Sequence, residues 1–208
     1  MPARLRPTAP VAADAILVGD PGRALMLAQE LLQQPQMSNH ARGLWGYSGA
    51  TPQGHPLTIQ STGMGGPSAT VVLHDLAELG VRRAVRIGTC TSLGRLVLGE
   101  LVIVTEARTP AGHVAHPHAE LTAALDLEPA ASVASLDVLH RHHPGPEVAG
   151  DVADMQTAAL LSVAEHRGIA AAAVLVVSET NSGEVLADEG LEAATRRAGT
   201  AAISALSP

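Results

Sequence analysis

Short apolar segments recur at regular intervals along the chain and predict the strands of a buried sheet. Several are apolar at consecutive positions, which is typical of strands that are covered on both faces. The predicted strands span residues 15–18, 57–61, 84–88, 101–105, 132–135 and 174–178. A further apolar segment at residues 44–48 contains Trp45 and Tyr47. We expect these two rings to pack against the sheet or at an interface rather than to contact a ligand.

Between the strands lie segments with helical patterns of apolar residues. Asp20 and Pro21 precede the first of them, and Gly80 and Gly168 follow the second and third, as residues that commonly begin and end helices. The predicted helices span residues 23–34, 67–79, 155–167 and 186–206. This alternation predicts an α/β fold, a single domain over residues 1–208 with a central mixed β-sheet flanked by helices. Residues 141–150 are predicted to form a loop.

The composition supports a large core and excludes several classes of function. Apolar residues make up 46% of the 208 residues and charged residues 16%, which excludes intrinsic disorder. All 13 basic residues are arginine, so chemistry that depends on lysine is excluded. The net charge of −7 argues against a nucleic-acid-binding module, which normally carries a basic surface.

Cysteine usage limits the possible cross-links and metal sites, and hydropathy bears on the compartment. The single cysteine, Cys90, excludes an intrachain disulfide and a zinc site made of several thiolates. No segment reaches the roughly 18 consecutive apolar residues that a membrane-spanning helix needs, and residues 1–10 lack the apolar core of a secretory signal. We therefore expect a cytoplasmic protein without a membrane partner.

Two strand ends carry residues suited to binding an anion. Residues 18–23 (VGDPGR) lie where a strand turns into a helix, and backbone N–H groups at a helix N-terminus bind anions. Arg86 and Thr89 lie on and just after another strand, and an arginine can hold phosphate with two parallel hydrogen bonds. Together these elements suggest a phosphate site; the alternative for residues 18–23 is an ordinary capped turn.

A glycine-rich segment, residues 61–68 (STGMGGPS), also joins a strand to a helix. It superficially resembles a dinucleotide-binding loop, which requires an acidic residue at the end of the next strand. The next strand, residues 84–88 (AVRIG), contains an arginine and no acid. We therefore expect the glycines to let a different ligand approach the backbone.

Six segments, in order along the chain, resemble the nucleoside phosphorylase family. The resemblance is to the hexameric branch that includes bacterial purine nucleoside phosphorylases and uridine phosphorylases. The segments are GDPGR (19–23), NHARGLWGYSG (39–49), STGMGGPSA (61–69), RIGTCTSL (86–93), DMQTAAL (154–160) and VVSET (176–180). The resemblance covers nearly the whole chain and implies a phosphorylase-like fold in a homo-oligomer built from dimers, with a hexamer expected.

The resemblance also implies roles for individual residues. The positions that bind phosphate in the family are occupied here by Gly19, Arg23, Arg42, Arg86 and Thr89. Of these, Arg42 matches an arginine that reaches into the site of a neighbouring subunit. Met155 and Gln156 match the positions that bind ribose, and Glu179 matches the catalytic acid that protonates a purine base at N7.

The implied function is phosphate-dependent cleavage of the N-glycosidic bond of a nucleoside, which gives a free base and ribose 1-phosphate. A purine nucleoside is the first choice of substrate, and uridine is the alternative. The resemblance implies no metal and no organic cofactor, with inorganic phosphate as co-substrate. A fixed phosphate can act as nucleophile and stabilise the ribosyl cation, and protonation of the leaving base is worth roughly 10²–10⁴-fold in rate.

Departures from the family favour a second interpretation, a weakened relative that binds nucleoside or phosphate without efficient turnover. Gln156 replaces a glutamate whose charge would strengthen its bonds to ribose, so we expect Gln156→Glu to raise activity. Glu179 replaces a shorter aspartate, and a base-stacking aromatic residue is missing near Ala134. Residues 116–151 form a shorter segment than in the family. Hydrolysis of the nucleoside by water is disfavoured, because hydrolases of this fold lack the GDPxR turn.

Six histidines form two groups that are candidate metal ligands. The groups are His113, His116 and His118, and His140, His142 and His143. Neither has the spacing of a helical metal site such as HExxH, so we expect solvated loop residues. We expect Cys90 to be a small buried residue rather than a nucleophile.

Overall fold

The fold is built around one sheet that runs through the whole of the described chain. A computed structural model describes residues 2–142 and 149–207. Within those residues the sheet has ten strands, numbered in chain order. They are β1 (Asp14–Val18), β2 (Gln33–Asn39), β3 (Gly46–Ala50), β4 (Pro56–Ser61), β5 (Arg83–Ser92), β6 (Leu101–Arg108), β7 (Val114–Ala115), β8 (Ala130–Ser135), β9 (Val152–Asp154) and β10 (Ala170–Thr180).

Five helices accompany the sheet in the described residues. They are α1 (Pro21–Leu31), α2 (Gly66–Glu78), α3 (Ala119–Ala124), α4 (Thr157–Arg167) and α5 (Asp188–Leu206). Short 3₁₀ turns lie at Ala41–Gly43 and His140–His142. None of the helices described is long and apolar enough to cross a membrane.

The sheet is mixed, and half of it closes on itself. Nine of its ten strands lie in the order β10-β6-β8-β9-β5-β1-β4-β3-β2; β7 pairs with β6, and β10 pairs with β5 as well. The strands β5, β10, β6, β8 and β9 therefore form a closed ring. From β5 the sheet continues through the parallel strands β1 and β4 to the antiparallel strands β3 and β2. The predicted α/β fold with a central mixed sheet flanked by helices is confirmed.

β1 illustrates how the sheet is buried on both faces. All five of its residues are buried, and successive side chains enter opposite apolar clusters. Ala15 and Leu17 pack in the cluster covered by α2 and α4, while Ile16 and Val18 pack in the cluster covered by α1 and α5. Tyr47 is buried in the second cluster and Trp45 packs against it, as expected of rings that support the sheet.

The helix boundaries follow the predicted signals closely. Asp20 caps α1 by accepting a hydrogen bond from the Arg23 amide at 2.9 Å, and Pro21 is the first helical residue. Gly168 ends α4 in the left-handed conformation (φ 65°). The first predicted helix extends too far, because the chain turns into β2 after Leu32 instead of remaining helical to residue 34.

Other differences arise where strands carry polar residues. β2 has the sequence QQPQMSN and was not predicted, since an exposed edge strand lacks an apolar pattern. β5 and β10 are 10 and 11 residues long, longer than predicted. Residues 89–92 extend the carboxyl end of β5, whereas β10 gains four alanines (170–173) at its amino end and Glu179 and Thr180 at its carboxyl end. The short elements β7, β9 and α3 were also not predicted. Of the predicted loop 141–150, residues 143–148 lie outside the described residues.

Candidate functional site

A cleft opens where the parallel strands β1, β4, β5 and β10 reach their carboxyl ends, the usual place for ligands in such sheets. Its volume is about 240 Å³. The side chains and backbone that line it come from six segments. These are Gly19, Asp20 and Arg23; Gly63, Met64 and Gly65; Arg86 and Gly88–Thr91; Leu139 and His140; Ala153–Gln156; and Ser178 and Glu179.

Arg86 lies at the base of the cleft and is 4% exposed. Its Nε donates to the Thr157 hydroxyl at 3.1 Å, its Nη1 to the Gln156 amide oxygen at 2.7 Å, and its Nη2 to the Asp154 carboxylate at 3.0 Å. A Cβ on Gly88 would lie only 2.5 Å from Nη2 of Arg86, so this position must be glycine for the guanidinium to fit. The arginine is therefore fixed in one orientation.

Asp154 is the buried counter-ion of Arg86, and the sequence analysis missed it. Besides Arg86, its carboxylate accepts hydrogen bonds from the backbone and hydroxyl of Thr157 and from the hydroxyl of Ser135. Its place just before a helix is a sequence signal for a cap, but nothing local indicates an ion pair with Arg86. Removing one member of such a buried pair leaves an uncompensated charge, which is strongly destabilising.

Gln156 joins Arg86 to the glycine-rich loop. Its Oε1 accepts from Arg86 and from the Thr62 hydroxyl at 3.2 Å. Its Nε2 donates to the carbonyl of Gly63 at 2.7 Å and to that of Gly65 at 3.2 Å. Both ends of the amide thus have protein partners, although the side chain borders the cleft.

Arg23 brings a second guanidinium into the same cleft. Its Nη1 is buried and has no hydrogen-bond partner among the residues described. Burial lowers the pKa of Arg23; Asp20 opposes that shift, and the positive charge of Arg86 adds to it. A Cβ built on Gly19 would lie 3.6 Å from Nη2 of Arg23 and 3.9 Å from Oε1 of Gln156. The Gly19 turn therefore lies directly against both side chains.

Glu179 and Thr89 line the cleft from adjacent strands, β10 and β5. The Glu179 side chain is 13% exposed, and its Oε1 lies 3.3 Å from Nη1 of Arg141. Ser178 beside it donates its hydroxyl to the Cys90 carbonyl at 3.3 Å. The polar end of β10 is thus held by contacts on both sides.

The remaining predicted site residues divide into two groups. Met155 lines the cleft beside Gln156. Arg42 does not line it: this residue is exposed on the 3₁₀ turn Ala41–Gly43, in a left-handed backbone conformation (φ 61°). Of the predicted phosphate ligands, the cleft of one chain therefore gathers the other four, Gly19, Arg23, Arg86 and Thr89.

The histidines have separate environments. His113 and His116 are exposed, and His118 caps α3 by accepting at Nδ1 from the Leu121 amide. His140 borders the cleft, a position that the sequence analysis did not anticipate. His143 lies outside the described residues. In the part of the chain that is described, no three histidine, cysteine or acidic side chains come close enough to hold a metal ion.

Cys90 lies on the cleft-lining part of β5, but its side chain is 4% exposed. Burial, reinforced by the negative charge of Asp154, raises the pKa of the thiol well above its ordinary value. A thiol that resists ionisation is a poor nucleophile. The expectation of a small buried residue is confirmed.

Comparison with known proteins identifies relatives of this architecture. A family model described as the phosphorylase superfamily matches residues 14–151. The chain is 37% identical to a DeoD-type purine nucleoside phosphorylase of Oceanobacillus iheyensis over 99 residues, which cover 47% of this chain and 42% of the relative. It is 41% identical to the Streptococcus suis protein of the same name over 100 residues, with the same coverage. The matches thus span less than half the length of these curated relatives.

Solved structures share the fold over almost the whole chain. The purine nucleoside phosphorylase of Toxoplasma gondii in complex with immucillin-H superposes with a TM-score of 0.83 at 21% identity, covering 94% of this chain and 90% of that one. The uridine phosphorylase of Vibrio fischeri superposes with a TM-score of 0.79 at 22% identity, covering 94% and 92%. With the family match spanning most of the sheet and the cleft, the chain belongs to the phosphorylase superfamily.

Proposed function

We propose that this protein cleaves the N-glycosidic bond of a purine nucleoside with phosphate, giving a free base and ribose 1-phosphate. The observation that carries the proposal is the pair of guanidinium groups in the cleft. Arg23 and Arg86 are close enough for the charge of one to lower the pKa of the other, and Nη1 of Arg23 is buried without a partner. Two neighbouring cations with an unused donor are suited to an anion such as phosphate.

In the proposed complex, phosphate is bound by the Gly19 turn, Arg23, Arg86 and Thr89. Arg86 makes one hydrogen bond to protein from each of its three nitrogens, so one N–H on Nη1 and one on Nη2 remain for the ligand. Because Asp154 and Gly88 fix this guanidinium, it needs no reorganisation when the anion binds. In this proposal, Arg42 of a second copy completes the site.

The proposed reaction breaks the bond between C1′ and the base, whose electron pair leaves with the base. A phosphate oxygen forms the new bond to C1′, and phosphate also stabilises the positive charge that develops on the ribose. Glu179 in its protonated form delivers a proton to N7 of the purine, so that the base leaves neutral. Met155 and Gln156 border the space proposed for the ribose. The step requires no metal or organic cofactor.

Purine is favoured over uracil by the relatives, because both curated relatives described above are named purine nucleoside phosphorylases. The likeness to the uridine phosphorylase concerns the fold alone. A binding protein with little turnover is the second candidate. It is favoured by Gln156, whose amide makes hydrogen bonds to protein at both ends and leaves few donors for ribose hydroxyls.

The test is an assay of inosine, guanosine, adenosine and uridine, each with and without phosphate. We expect phosphate-dependent release of base from at least one purine nucleoside. Arg23→Met removes the unpartnered donor and should lower kcat/KM about 10²-fold, or about 2.7 kcal/mol of transition-state stabilisation. Arg95→Met is the matched control, since Arg95 is exposed and does not line the cleft. Nucleoside binding without base release would favour the second candidate, and base release without phosphate would contradict both.

A further inference from the structure

His140 is the cleft residue to which the proposed function assigns no role. It lies on the 3₁₀ turn His140–His142, which follows β8, and it lines the cleft next to Leu139. Its Nδ1 is buried and makes no hydrogen bond with any described residue. Buried polar atoms of side chains nearly always have a partner, so this nitrogen requires an explanation.

The other ring nitrogen determines what Nδ1 can do. Nε2 of His140 lies 3.1 Å from Oδ1 of Asn181, and an amide oxygen can only accept a hydrogen bond. Nε2 must therefore carry the hydrogen in this contact. In the neutral ring, Nδ1 is then left with a lone pair and acts as an acceptor.

Two contacts hold the histidine turn against the end of β10. His140 is hydrogen-bonded to Asn181, and the next residue, Arg141, donates a hydrogen bond to Glu179. His140 and the carboxylate that we propose as the catalytic acid therefore line the same cleft, where the histidine turn contacts the end of β10. Leu139 adds an apolar surface to the same wall of the cleft. A flat apolar ligand with an N–H group at its edge is suited to this combination.

We propose that His140 is a specificity-determining residue, whose Nδ1 accepts a hydrogen bond from an N–H group on the six-membered ring of a purine nucleoside. The proposal rests on the proposed function, because it assumes that the cleft takes a nucleoside. A base without such a donor leaves Nδ1 unsatisfied in the complex. Sites that hydrogen-bond a substrate group discriminate strongly against the analogue that lacks it.

The experiment compares nucleosides that differ in this donor. Adenosine has an amino group on the six-membered ring, inosine has a ring N–H, and purine riboside has neither. Dissociation constants are measured by calorimetry without phosphate, and kcat/KM is measured with phosphate saturating. One of adenosine and inosine should bind more tightly than the other. We expect that nucleoside to be preferred over purine riboside about tenfold in dissociation constant and in kcat/KM, which corresponds to about 1.4 kcal/mol.

The variants distinguish the loss of the hydrogen-bond acceptor from a change in the shape of the turn. His140→Leu should reduce the tenfold preference to about one, whereas His140→Gln keeps an amide oxygen as acceptor and should retain part of it. His142→Leu is the matched control, because His142 is exposed on the same turn and does not line the cleft. This control should keep the full preference. If His140→Leu does not fold, His140→Gln and the preference of the unmodified protein still decide the question.

Each outcome bears on one proposal or the other. The role of His140 is overturned if the unmodified protein shows no preference over purine riboside, or if His140→Leu shows the same preference as the unmodified protein. Either result leaves the proposed phosphorolysis intact. A preference in binding that disappears with His140→Leu, without any base release, supports the role of His140 and contradicts the proposed reaction. A protein that binds none of the three nucleosides overturns both.

Discussion

At the scale of single residues, Gln156 has a different environment from the one its sequence position suggests. The comparison of motifs treats it as a weakened ribose ligand, since it replaces a glutamate. In the structure its amide nitrogen donates to two carbonyls of the glycine-rich loop, and its oxygen accepts from Arg86. An amide fits these contacts and a carboxylate does not, because a carboxylate has no hydrogen to donate.

This geometry reverses the expectation that Gln156→Glu raises activity. The substitution would place a carboxylate oxygen against the carbonyls of Gly63 and Gly65, and Arg86 already has Asp154 as its counter-ion. We expect the free energy of unfolding to fall by about 1–3 kcal/mol, the usual cost of buried polar groups left without partners. We also expect no gain in kcat/KM. Urea denaturation and the nucleoside assay measure the two quantities.

Gln36→Glu provides the matched control for this substitution. This substitution makes the same change of charge at an exposed position of the edge strand β2. We expect a free energy of unfolding within about 0.5 kcal/mol of that of the unmodified protein. A rise in kcat/KM for any nucleoside with Gln156→Glu would show that the amide is a defect after all. It would restore the interpretation based on the motif.

At the scale of elements, α2 anchors the N-terminal segment through a single side chain. Asp75 is 2% exposed, and its carboxylate accepts from the amides of Ala3, Arg4 and Leu5 at 2.6–2.7 Å. Leu5 is thereby placed in the apolar cluster that α2 and α4 cover. Three hydrogen bonds to one buried carboxylate fix a segment that has no strand or helix of its own.

We expect Asp75→Ala to release residues 3–5 and to lower the free energy of unfolding by about 2–4 kcal/mol, because hydrogen bonds to charged groups are worth about 1.5–3 kcal/mol each and are partly replaced by water. Hydrogen exchange should show faster exchange of the three amides. Val71→Ala, on the exposed side of the same helix, controls for a truncation in α2. Unchanged exchange at residues 3–5 in Asp75→Ala would contradict the anchoring role.

The elements also indicate how far the sequence alone can lead. β1, β4 and the middle of β5 were predictable because strands buried on both faces need apolar residues throughout. β2 was not, since most of its polar side chains face solvent. In the site, Gly19, Arg23 and Arg86 could be predicted as anion-binding residues because they lie at or near the ends of predicted strands. Asp154 could not, because its partner Arg86 is 68 positions away and only the folded chain brings the two together.

At the scale of the whole molecule, Arg42 remains separate from the cleft of its own chain. It is exposed in a left-handed conformation that costs a non-glycine residue about 1–3 kcal/mol. Asn39 fixes the turn around it by donating to the carbonyls of Ala41 and Leu44. Strain held in place by such contacts is common at functional sites. An arginine presented in this way is suited to an anion bound by another copy of the chain.

If Arg42 completes the cleft of a partner, two inactive variants should restore each other. In a mixed dimer of Arg42→Ala and Arg23→Ala, the cleft of the Arg42→Ala chain keeps its own Arg23 and receives Arg42 from the other chain. The second cleft lacks both arginines. Random association of equal amounts makes about half of the dimers mixed, each with one intact cleft of two, so about a quarter of the unmodified activity should return.

The two variants are unfolded and refolded together before the phosphorolysis assay, and light scattering measures the assembly. Separate refolding followed by mixing in the assay is the control. No recovery from the co-refolded mixture, with oligomers of unchanged mass, would mean that Arg42 does not act across subunits.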